Sequence, residues 1–89
     1  MIATLITTEG VYQRLSDGSA DTLHEHLGAA FDMVTLTGTT DMWVSDDGLH
    51  ASTLNPEATR IARQAGIELD VYGNAIVITA PRSNYALAH

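Results

Sequence analysis

The sequence predicts an α+β fold: a single small domain with a mostly antiparallel sheet of four to six strands and two helices packed on one face. Three observations predict it. Short β-branched runs recur along the chain, separated by turns rich in Gly, Asp and Asn. Two stretches instead place apolar residues three and four apart, the helical period. The chain has 89 residues, the size of one small domain. The expected domain covers residues 1–81, with residues 82–89 as a C-terminal tail.

Residues 2–8 are apolar and β-branched on both faces, so this first strand is expected to be central. Glu9-Gly10 turns the chain into a second strand over 11–15, a hairpin by its spacing. Ser19 is placed to cap a first helix, with Asp21 near its positive end, Leu23 and Leu27 on one stripe and Gly28 at its close. A third strand follows over 30–37, with Phe31, Met33 and Thr35 on one face and Asp32, Val34 and Leu36 on the other. In a fourth, over 41–45, Met42 and Val44 oppose Trp43. Asp46-Asp47-Gly48 reads as a tight turn, and 49–52 as a brief strand.

Residues 55–66, NPEATRIARQAG, form the best-marked element. Asn55 is the N-cap and Pro56 the first helical residue, where a missing N–H costs nothing. Ala58, Ile61, Ala62 and Ala65 make a thin apolar stripe, and Gly66 ends the helix. In 67–71, Ile67, Leu69 and Val71 alternate with Glu68 and Asp70, as in a half-buried strand or extended segment. Tyr72-Gly73-Asn74 turns, and 75–80, AIVITA, is a buried last strand ended by Pro81. Two short helices cannot cover such a sheet. Trp43, Val34 and Leu36 are therefore expected on an open face that is either a dimer or partner surface or is covered by the tail or a loop.

Composition narrows the function. Eleven acidic residues against four arginines and no lysine give a net charge of −7. Direct nucleic-acid binding needs clustered cations, and Arg14, Arg60, Arg63 and Arg82 are scattered. Attraction to anionic lipid is disfavoured likewise, and no apolar run is long enough to span a membrane. The absence of cysteine removes disulfides, thiolate metal sites and cysteine nucleophiles. With no basic leader, a cytoplasmic location is expected.

No catalytic motif emerges, so a non-enzymatic protein without cofactor or metal is expected. His24 and His26 are two apart on a helix and cannot share a metal, and His26 is expected near the helix C-terminus. Asp41, Asp46 and Asp47 flank one hairpin, and Asp-Asp-Gly suits a turn better than a cation loop. The partner-binding candidates are Trp43 and Tyr72, as aromatic anchors, and Arg60 and Arg63, on the outer side of the second helix.

Five stretches, LHEHLG, FDMVTL, MWVSDDGLH, LNPEATRIA and VYGNAIVI, resemble a family of small domains of unknown function found mainly in phages and mobile elements of actinobacteria and other Gram-positive bacteria. The resemblance spans residues 2–80 and transfers no catalytic residue. It implies a phage-type accessory protein acting in a bacterial cytoplasm. The expected function is an acidic interaction module that binds and modulates a host bacterial protein. The alternative is a self-associating binder of a small nucleotide signal, with Arg60, Arg63 and Arg82 brought together by a homodimer.

Overall fold

The computed structural model describes residues 2–46 and 53–80. Its elements run β1 (Ile2–Ile6), β2 (Tyr12–Leu15), α1 (Ala20–Leu27), β3 (Phe31–Thr35), β4 (Thr40–Ser45), α2 (Pro56–Gln64) and β5 (Ala75–Thr79). The five strands form one antiparallel sheet in the order β2-β1-β5-β4-β3. This is the expected α+β domain. The readings of 49–52 as a strand, of Asp47 and Gly48 as turn residues and of 82–89 as a tail lie outside the described residues.

β5 is the centre of the sheet, paired with β1 on one side and β4 on the other. Its apolar run is used on both faces. Ile76 and Ile78 join Ala3, Leu5, Leu15, Phe31 and Trp43 beneath Leu23 and Leu27 of α1. Ala75 and Val77 join Met42, Val34 and Val44 beneath Ala58 and Ala62 of α2. The helices therefore cover opposite faces, which corrects the expectation that both share one. A strand apolar on both sides must be covered on both sides, and one helix per face does it. Val34 and Leu36 are likewise not beside Trp43 on an open face. They pack with the α2 cluster, and Trp43 packs with the α1 cluster.

Both helices carry the expected caps. Ser19 Oγ accepts from Thr22 N–H at 3.3 Å, and Asn55 Oδ1 accepts from Ala58 N–H at 3.0 Å. α2 closes with Gly66 at φ 84°, Ile67 N–H donating to Ala62 O and Gly66 N–H to Arg63 O, a double bond pattern that satisfies the last carbonyls. At the end of α1 it is His24, and not His26, whose ring Nδ1–H donates to Gly28 O at 2.9 Å. Four residues separate them, the distance a side chain needs to reach down to the terminal carbonyl.

Residues 67–71 keep their alternation, with Ile67, Leu69 and Val71 turned inward, yet join no ladder. Alternation reports burial on one side and not pairing. Here the segment runs along the α2 face, touching strand geometry only where Tyr72 bridges Leu54.

Candidate interaction site

The segment after α2 is strapped to the start of that helix. Asn55 N–H donates to Val71 O at 2.7 Å, and Val71 N–H donates to Thr59 Oγ1 at 2.9 Å. The Asn55 amide, 0% exposed, donates to Ile6 O at 3.0 Å and to Gly73 O at 2.9 Å. One side chain thus ties α2, β1 and residues 71–73 together. The strap sets Val71 and Tyr72 against the end of β4 and leaves a groove of about 380 Å³ between them.

The groove has apolar walls, with Val44, Leu69 and Val71, and an acidic border, with Asp32, Asp46 and Asp70. The β3–β4 register sets Asp32 opposite Val44, and Asp46 N–H donates to Ala30 O at 3.0 Å, so Asp32 and Asp46 are diagonal neighbours on the α2 face. Their carboxyls are close enough to share a hydrogen bond, which together with their mutual repulsion holds Asp46 above the usual carboxylate range. Asp70 accepts from Arg63 Nη2 at 2.7 Å at the rim. Among the described residues no three of His, Asp and Glu converge closely enough to hold a metal ion.

The four candidates named from sequence divide between two faces. Trp43 lies half-buried on the α1 face, edge-on to Phe31 with ring centres 5.4 Å apart, and Phe31 in turn meets the His24 ring at 4.8 Å. Tyr72 is half-buried in the wall of the acidic groove. Arg60 and Arg63 lie on the exposed side of α2, each against a carboxylate of its own. Arg60 Nε donates to Glu57 Oε1 at 2.7 Å, and Arg63 pairs with Asp70. Tyr12 OH also donates to Glu57, at 2.9 Å, and the two donors hold Glu57 below the usual carboxylate range, Arg60 more strongly. An anion bound by these arginines would have to displace Glu57 and Asp70. Asp41 and Asp46 do not meet: Asp41 stands opposite Thr35 and Ile78, on the α1 face and at the other end of β4.

Sequence reasoning missed Asp32. The signal was present, since a turn at 37–40 pairs residue 32 with residue 44 and sets Asp46 diagonally beside it. Compared with protein-family models, curated proteins and solved structures, the chain matches none.

Proposed function

We propose that this domain is a small non-enzymatic interaction module whose acidic groove receives a basic, partly apolar segment of another protein. In the phage or mobile-element setting that the resemblance implies, that partner is a bacterial host protein whose activity the module alters. The observation that carries the reading is the groove itself. The β3–β4 register seats Asp32 and Asp46 as like-charged diagonal neighbours, beside apolar walls and under a net charge of −7. A cationic side chain seated between them would relieve that repulsion, while its apolar neighbours would cover Val44 and Leu69.

The test is capture from bacterial lysate at low salt with the tagged protein and with an Asp32→Asn, Asp46→Asn double variant. A protein retained by the parent and lost with the variant supports the module. Identical capture by both, or none by either, removes it.

A further inference from the structure

We propose that the partner segment binds as an added β-strand along the open edge of β3, with a Lys or Arg directly opposite Asp32. This rests on the interaction-module reading and specifies its partner.

β3 ends the sheet, and among the described residues nothing pairs with its outer side. The direction of its main-chain groups follows from the ladder. Leu36 N–H donates to Thr40 O at one end, and Asp46 N–H donates to Ala30 O at the other. In an antiparallel pair, bonded and non-bonded positions alternate. Residues 30, 32, 34 and 36 therefore bond inward to β4. The N–H and C=O of Phe31, Met33 and Thr35 point to the open edge, where a strand can take them.

The side chains along that edge state what the strand must carry. On the α1 face Met33 is 50% exposed, beside half-buried Phe31, so the added strand needs apolar residues there. On the α2 face it meets Asp32, with Asp46 diagonal to it. Asp32 bonds inward, so the residue opposite it forms a non-bonded pair, the closer of the two kinds, with Cβ atoms roughly 4.5–5.5 Å apart. A cation at that position, flanked by apolar residues, matches both faces.

A second copy does not match. Antiparallel pairing of two β3 edges about Met33 would set the two Asp32 side chains on one face, diagonal at roughly 7–8 Å, with both Asp46 carboxyls nearby. The charge that admits a basic strand opposes self-pairing. The other edge differs in kind: β2 has four residues, carries Arg14, and its Tyr12 hydroxyl is bound to Glu57.

The probe is a capped heptapeptide, Val-Thr-Val-Lys-Val-Thr-Val, titrated into the full ¹⁵N-labelled chain. Binding is expected to shift the amides of Phe31, Met33 and Thr35. It is expected to weaken roughly three- to tenfold when the central Lys is Glu or when Asp32→Asn and Asp46→Asn are combined. N-methylation of the two Val amides flanking Lys removes their N–H donors to β3 and sets methyl groups against the edge, and is expected to abolish binding. N-methylation of the Lys amide, which points away from β3, is expected to leave it intact. No shift along β3 at millimolar Lys peptide overturns the proposal. So does equal binding of the Val-methylated peptide. A host protein whose capture depends on Asp32 and Asp46, yet which leaves the β3 amides unperturbed, removes strand addition and keeps the module.

Discussion

Asn55 is the residue with the most to lose. Its side chain caps α2 through Oδ1 and supplies both amide protons to carbonyls of β1 and the 71–73 strap. Asn55→Ala removes a cap, worth about 1 kcal/mol, and orphans two carbonyls at about 1–3 kcal/mol each, so a loss of ~3 kcal/mol or more is expected in chemical denaturation. Asn55→Asp distinguishes the roles. Aspartate caps as well as asparagine, so a residue that only capped would tolerate it. Here the carboxylate would face two carbonyls without a proton to offer, and a loss near that of Asn55→Ala is expected. The cap was legible from Asn-Pro alone, because capping is local. The two amide bonds span 49 and 18 residues and are invisible until the fold brings their partners close. His26 does lie in the last turn of α1, as its position implies, and which ring reaches Gly28 O, that of His24, is a smaller case of the same kind.

At the scale of elements, strand register does what no single residue announces. The β3–β4 ladder puts Asp32 beside Asp46, and the Asp46 carboxyl, hydrogen-bonded to Asp32 and repelled by it, keeps its proton to a higher pH than in the unfolded chain. In the window between the ordinary and the raised value, the folded state binds more protons than the unfolded one, and stability falls as pH rises. The hydrogen bond to Asp32, the larger cause, contributes in full below the ordinary carboxylate range and is lost as pH rises through the raised value, where repulsion replaces it. Asp32→Asn is therefore expected to raise the melting temperature at pH 7 and to leave it unchanged in acid below that range. A lower melting temperature at pH 7 would contradict the repulsion. Element types were largely readable, since turn residues and apolar spacing mark both hairpins and both helices. Two features were not. The alternation at 67–71 gave the buried side chains but not a strand, because burial against α2 and pairing in a sheet leave the same trace. The placement of the helices was misread although AIVITA, apolar at successive positions, already demanded cover on both faces.

For the molecule as a whole, the sheet order dictates how the parts cohere. The hairpins β1–β2 and β3–β4 are each local in sequence, but within the sheet they are joined only through β5. A chain ending at residue 74 would hold two hairpins without the strand between them, and isolated hairpins are marginal at best. Such a truncation is expected to lack cooperative thermal unfolding by circular dichroism, whereas the full chain shows it. The acidic groove, by contrast, could not be read from composition. A net charge of −7 spread over 89 residues names no groove; of the two aromatic candidates Tyr72 lies in its wall, while Trp43 packs against Phe31 on the other face.

The central position of β5 also has a temporal meaning. Ile2 pairs with Thr79, so β1, made well before β5, waits for it before the second of its two ladders can close. Helices and hairpins can flicker during synthesis, but the sheet they serve is sealed only after release of the 75–79 stretch. Contacts of such long sequence separation slow folding, and the apolar edges of β1 and β4 stay bare meanwhile. A net charge of −7 sets like-charged chains against one another in that interval and so opposes their association.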